Sequence, residues 1–254
     1  AQAGGRWLNS SGFPLSGDFD DRPATRRRRE DGGLRLNSDR DETSGLASFG
    51  WQFSDAGRAH ATYLGSEAEF GMPPSTTDFA PVFRRMDAQR LNHAQAGIDH
   101  EVTSRVGVSA AAFYSGYDNR EGQFGAADYQ ERWLTTKTEA NELGAIGRVT
   151  MRPSEQGSLA LGGQVRRAWV DVSNSANGKL SDSQFTTSST AVEYVHFLTN
   201  RVSLVTGLSV DLQSGGGRGT DSEVNPQGGL SVDLGRYGTA RAGVARKIRF
   251  PTLR

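Results

Sequence analysis

Apolar and polar residues alternate along most of this chain. Val202, Leu204, Leu208, Val210 and Leu212 share one parity, and Ser203, Ser209 and Asp211 take the other. Leu143, Ala145, Val149 and Met151 stand opposite Arg148 and Thr150, and Ala47, Phe49, Trp51 and Phe53 line up in the same way. Leu230, Val232 and Leu234 oppose Ser231 and Asp233, while Ala240, Ala242, Val244 and Ile248 oppose Arg241 and Lys247. Side chains of a strand point to opposite faces with period two, so each stretch predicts a strand with one apolar face. No segment carries the i, i+3, i+4, i+7 stripe of an amphipathic helix.

Turn signals separate these stretches in two sizes. Short ones fall at 54–58, 103–105, 153–157, 199–201 and 235–238, and long ones at 71–82, 118–130, 174–184 and 213–223. Read in order they give strand, short turn, strand, long loop, repeated. Tight turns join antiparallel strands, so the prediction is an all-β, antiparallel up-and-down meander. Sorting of short turns to one end and long loops to the other fits an outer-membrane barrel better than a soluble sandwich with crossing connections. Stretches such as Met86–Ser104 run far beyond the usual strand of a soluble protein. The first part is less regular, with short strands expected over 6–10 and 14–19 and a polar, turn-rich stretch after them. The run Arg26–Arg29 reads as a solvated turn beside Glu30 and Asp31.

Composition narrows the picture. The 254 residues hold 29 Lys plus Arg against 29 Asp plus Glu, which argues against a nucleic-acid partner. Cysteine is absent, which removes disulfides and Cys-ligated metal. Hydrophobic residues make up only 35%, with 32 Gly beside them. A large barrel explains this: its apolar face meets lipid, its other face lines a wet lumen, and no jigsaw core is needed. Arg148, Thr150, Asp211 and Asp233 are then expected in the lumen. His60, His93, His100 and His196 lie on separate segments with no metal-ligand spacing, and His93 and His100 have opposite parity. No catalytic constellation or cofactor site stands out, so no enzyme is predicted. The opening AQAGGRWLNSSG has no signal-peptide pattern, and the strand-like FPTLR closes the sequence. Both read as an internal stretch of a longer chain.

Thr239–Arg254 resembles a strand-and-turn motif in the barrel of TonB-dependent outer-membrane receptors, carried here by Arg246, Phe250, Pro251, Thr252, Leu253 and Arg254. Arg249 and Phe250 stand directly before Pro251, where the family pattern has a small residue. A second similarity covers Gly32, Gly33, Arg35, Asn37, Ser38, Asp39, Gly71 and Pro73. The resemblance implies a 22-stranded transmembrane barrel filled by an N-terminal plug. Residues 1–254 would be about ten or eleven strands of one barrel domain, without the plug or the last strands. It further implies Gram-negative outer-membrane localisation, contact with outer-membrane lipid, and active uptake of a scarce substrate such as a ferric siderophore, haem or cobalamin. Energy would come from the TonB complex through an N-terminal part.

Candidate substrate contacts are the aromatics of the long loops: Phe70 and Phe79 around one, Tyr117, Phe124, Tyr129 and Trp133 around the next. Aromatic faces can stack on planar ligands or chelates. The competing role is an interfacial girdle, for which Tyr117 and Trp133 are the better candidates. The alternative functions are a passive porin-like barrel, which would lack the Pro-Thr-Leu-Arg segment, and a secreted soluble all-β binding protein.

Overall fold

The computed structural model describes residues 1–18, 30, 32–75 and 80–247. Among them eleven strands form one sheet: β1 (Gln2–Ser10), β2 (Arg40–Ser54), β3 (Gly57–Met72), β4 (Phe83–Thr103), β5 (Val106–Phe124), β6 (Arg132–Ser154), β7 (Gly157–Asn174), β8 (Gly178–Thr199), β9 (Val202–Gly215), β10 (Arg218–Asp233) and β11 (Thr239–Ala245). Spatial order equals sequence order and every pairing is antiparallel, so this is the predicted meander. β6 alone runs 23 residues.

The register assigns each parity to a face. Across β2–β6 one row reads Phe49, Ala61, Ala96, Ala112 and Ala145. The next row on the other face reads Gln52, Arg58, Asp99, Ser109 and Arg148. The first face is apolar over a band: Val106, Val108, Ala110, Ala112 and Tyr114 on β5, and Leu143, Ala145, Gly147, Val149 and Met151 on β6. At about 3.3 Å per residue, nine residues of tilted strand match an apolar belt roughly 25 Å tall. Charges return to this face just above it, in the row Glu67, Arg90, Asp118 and Glu139. Large apolar side chains of the band stand exposed, including Phe49, Trp51, Ile98, Leu208 and Leu230. Arg148, Thr150, Asp211 and Asp233 all lie on the polar face.

The sheet is sheared as a barrel wall must be. Arg58, one residue above the β2–β3 turn, connects row by row through Asp99, Ser109, Arg148, Gly162, Ala191 and Ser209 to Asn225. Asn225 lies well above the turn that follows Asp233. A drift of about 23 Å along the strands over about 34 Å of sheet width gives a tilt of roughly 35°, the value of closed barrels.

Several sequence expectations change, and the loop expected at 118–130 shortens because β5 runs on to Phe124. The predicted loops at 174–184 and 213–223 are tight hairpins, because β7 pairs on to Asn174 with Gly178 and β9 on to Gly215 with Arg218. The left-handed backbone at Gly178, Gly215, Gly216 and Gly217 makes those reversals possible. The long connections among the described residues are therefore 11–39, 73–82 and 125–131. The strand expected over 14–19 reduces to one bridge, Pro14 to Leu34, and β1 begins earlier than expected, at Gln2. Arg26–Arg29 fall outside the described residues.

Candidate functional site

The loop end of the sheet carries two constructions, one on each face. On the polar face, even positions of β2 and odd positions of β5 continue upward past the apolar band. Tyr117 shares a row with Leu91 and Ala140 there, half-buried in the wall. Its hydroxyl accepts from Gln89 Nε2 at 3.0 Å and from Asn119 Nδ2 at 2.9 Å, which leaves its own proton for a group in the lumen. One tier lower, His93 lies 6.4 Å from Phe113 in a stacked arrangement and its Nδ1 is 2.8 Å from Ser115 Oγ. Two tiers above Tyr117, Phe70 shares a row with Arg40, Met86 and Glu121. The Arg40 guanidinium sits over the Phe70 ring at 5.1 Å and pairs with Glu42 at 2.7 Å. Arg84 and Glu121 approach to 3.5 Å. The upper wall thus offers two aromatic rings among amides and hydroxyls, with these charges paired within it.

The other construction is a clamp. Phe83 and Phe124 pair across β4 and β5, and both are buried to 7% exposure with Ala127. Tyr129 meets each edge-on, at 5.9 and 5.3 Å, and Leu36 packs against the cluster. The 30–39 segment is tied down over it. The Glu30 carboxylate accepts from Arg35 Nη1 and from Leu36 N, and Arg35 Nη2 donates to the carbonyl of buried Pro74. Asn37, held left-handed at φ 52°, donates through Nδ2 to the carbonyls of Met72 and Arg84. Ser38 Oγ donates to Arg35 O at 2.7 Å. Arg85 holds Asp39 with two hydrogen bonds, and that contact keeps the Asp39 carboxyl below its ordinary value. Burial pushes the Tyr129 phenol up to about 12. Its hydroxyl is buried with no partner in hydrogen-bonding geometry, and the neighbouring Asn37 amide only partly offsets the effect of burial.

The structure therefore divides the six aromatic candidates. Phe70 and Tyr117 face the lumen. Phe124 and Tyr129 are interior side chains of the clamp, and Phe79 lies outside the described residues. Trp133 is 62% exposed at the start of β6. It stands ten residues above Leu143, about 30 Å along the strand, so it is too high for a girdle at the edge of the apolar band. Tyr117 is on the wrong face for one. Tyr63 and Tyr114 occupy that edge instead, their hydroxyls donating to Asn92 and Asn141 Oδ1 at 2.7 Å each. Of the tail motif only Arg246 is described, 3.2 Å from Glu223; Phe250, Pro251, Thr252, Leu253 and Arg254 lie outside. The second motif gains a physical meaning, since Arg35, Asn37, Ser38, Asp39 and Gly71 converge in the clamp. Gly71 is required there because a Cβ would collide with the Asn37 carbonyl. Its partners Glu30, Phe83 and Arg85 gave no sequence signal beyond residue type.

No protein-family model matches the sequence, and no curated protein does. Solved structures do match. The FrpB iron transporter from Neisseria meningitidis (F3-3 variant) aligns over 95% of this chain and 40% of its own at 16% identity, with a TM-score of 0.72. The copper transporter OprC aligns over 98% of this chain and 40% of its own at 15% identity, with a TM-score of 0.71. The likeness shows the fold: the eleven-strand sheet follows part of the barrel of those proteins. The siderophore receptor PiuA from Acinetobacter baumannii is similar over 78% of this chain and 41% of its own, at 11% identity and a TM-score of 0.58. The chain spans about two fifths of the length of these transporters. In that barrel fold the apolar band faces lipid and the Tyr117 wall faces the lumen.

Proposed function

We propose that this chain is a barrel segment of an active outer-membrane transporter that takes up a scarce small molecule or metal chelate, of the ferric siderophore, haem or cobalamin kind, with energy delivered through TonB. The observation that carries the reading is the eleven-strand sheet, which follows transporter barrels over nearly all of its length. The TonB-receptor motifs at 32–39 and 246–254 favour an energised transporter over a passive pore. Phe70 and Tyr117 are the chain's contribution to the substrate site. Both stand above the membrane band on the lumen face, where a ring can stack on a planar ligand and the Tyr117 proton can meet an acceptor.

Whole-cell accumulation by the full-length protein tests this. Cells carrying it should concentrate one ligand from a panel of labelled ferric siderophores, haem and cobalamin, and uptake should stop when TonB is deleted. TonB-independent equilibration of small solutes would instead establish the porin reading.

A further inference from the structure

On the lumen face Tyr117 stands between two amides. Gln89 Nε2 and Asn119 Nδ2 both donate to its hydroxyl, at 3.0 and 2.9 Å. Each amide has turned its nitrogen to the phenol oxygen, and neither Gln89 Oε1 nor Asn119 Oδ1 has a hydrogen-bond partner among the described residues. The trio therefore offers the Tyr117 proton and two carbonyl oxygens side by side. A carboxamide or hydroxyl answers both, because it donates and accepts. A carboxylate or phenolate only accepts, so it leaves the carbonyls unanswered.

The wall around the trio is electrically neutral. At and above the His93 row, each arginine and carboxylate on the lumen face of β2–β6 has an opposite charge beside it. Arg40 meets Glu42 at 2.7 Å, Arg84 meets Glu121 at 3.5 Å, and Glu142 meets Arg166 of β7 at 3.9 Å. Arg6 on β1 shares the row of Tyr117 and has no carboxylate among the described residues, but it lies four strand spacings away, about 19 Å. A polyanion resting on this wall would lose water and gain no free cation in return.

We infer that the substrate meets this wall with an electroneutral face and seats a carboxamide or hydroxyl arm among Gln89, Tyr117 and Asn119. The arm's oxygen accepts the Tyr117 proton, and its own proton goes to Gln89 Oε1 or Asn119 Oδ1. The inference rests on the transporter reading proposed above and selects within it. Phe70 lies two strands across and two tiers up from Tyr117, about 16 Å away, so a ligand that reaches both rings is a large one. Amide-rimmed macrocycles and neutral hydroxamate chelates on a peptide frame fit this wall; tricatecholates and dicarboxylates do not.

The test uses the full-length protein, in cells for uptake and purified in detergent for equilibrium binding. The probes are cyanocobalamin, a ferric trihydroxamate on a cyclic peptide, haem and a ferric tricatecholate. TonB-dependent uptake of one of the first two should exceed that of haem and of the tricatecholate about tenfold, a difference of about 1.4 kcal/mol. Tyr117→Phe and Gln89→Leu should each weaken binding of that ligand about fivefold. Glu42→Gln leaves Arg40 without its counter-charge and should strengthen binding of the tricatecholate several-fold. Uptake that favours haem or the tricatecholate, or no TonB-dependent uptake of either neutral probe, would overturn the inference. So would neutral-probe binding unmoved by both Tyr117→Phe and Gln89→Leu in protein that keeps its β-sheet circular dichroism, or tricatecholate binding unmoved by Glu42→Gln. Entry of all the probes alike without TonB would overturn the transporter reading as well.

Discussion

Arg85 clasps Asp39 through both guanidinium nitrogens, Nη1 to Oδ1 at 2.9 Å and Nη2 to Oδ2 at 2.5 Å. The pair joins the start of β4 to the residue just before β2, across 46 positions of sequence. Bidentate geometry makes it stronger than a simple surface pair, but both side chains are about one-third exposed, and solvent discounts it to about 1 kcal/mol. Arg85→Ala should loosen the 30–39 segment and raise its rate of proteolytic cleavage in the full-length protein, with the barrel intact. The folded Asp39 pKa lies below the ordinary 3.8, so the pair's contribution is fully present above that value and fades as pH falls through the lower, folded one. Cleavage of this segment should therefore rise with acid below about pH 4 in the wild type and lose that dependence in Arg85→Ala.

Asn37 is the pin of the same clamp. Its left-handed backbone is tolerated by Asn better than by most residues, and its amide satisfies two carbonyls. Asn37→Ala should cost about 1–3 kcal/mol of local stability. Gly71→Ala, which drives a Cβ into the Asn37 carbonyl, should reproduce the same exposure. Hydrogen exchange of the amides from 30 to 39 reads both variants, and unaltered protection in either would remove Asn37 from this role.

The aromatic cluster separates packing from polarity. Phe124→Ala should destabilise the loop end by about 3–5 kcal/mol, because it opens a cavity against Phe83 and Tyr129. Tyr129→Phe should be neutral or mildly stabilising, since the hydroxyl it removes is buried without a partner. The Tyr129 pKa is raised to about 12, so the unfolded chain ionises first and stability should fall as pH climbs from the ordinary 10.0 toward 12. Tyr129→Phe should flatten that alkaline limb in a urea titration followed at several pH values.

The two faces of β6 should respond oppositely to charge. Val149→Arg places a cation in the apolar band and should cost about 2–4 kcal/mol on insertion into vesicles. Thr150→Arg, one residue on, joins Arg148 on the lumen face and should cost less than about 1 kcal/mol. Folding into lipid vesicles under urea measures both.

Strand existence and facing were legible in the sequence wherever lipid meets one face and water the other. Leu143 to Met151 and Val202 to Leu212 alternate cleanly because a one-residue slip would put Arg148 or Asp211 into lipid. Above the band both faces are wet, and the pattern disappears while the hydrogen-bond ladder continues. That is why β7, β8, β9 and β10 run on through stretches such as Ser181–Gln184 and Asp221–Glu223 that read as loop. The clamp was partly legible through Arg35, Asn37, Asp39 and Gly71, but their mutual contacts were not, because Arg85 and Phe83 reach them only once β4 is in register. The same holds for Tyr117: its parity is fixed by nine residues of alternation below it, yet its place at a turn-like Tyr-Asp-Asn run disguised it as a strand end.

The central claim is that one parity of these strands faces lipid and the other a wet lumen. Spin labels placed singly at 143–151 in the full-length protein in bilayers test it most directly. The account predicts period-two relaxation: Leu143, Ala145, Gly147, Val149 and Met151 accessible to oxygen, and Gly144, Ile146, Arg148 and Thr150 accessible to a water-soluble nickel chelate. Uniform access of the chelate to both parities, or oxygen favouring the even positions, would contradict it.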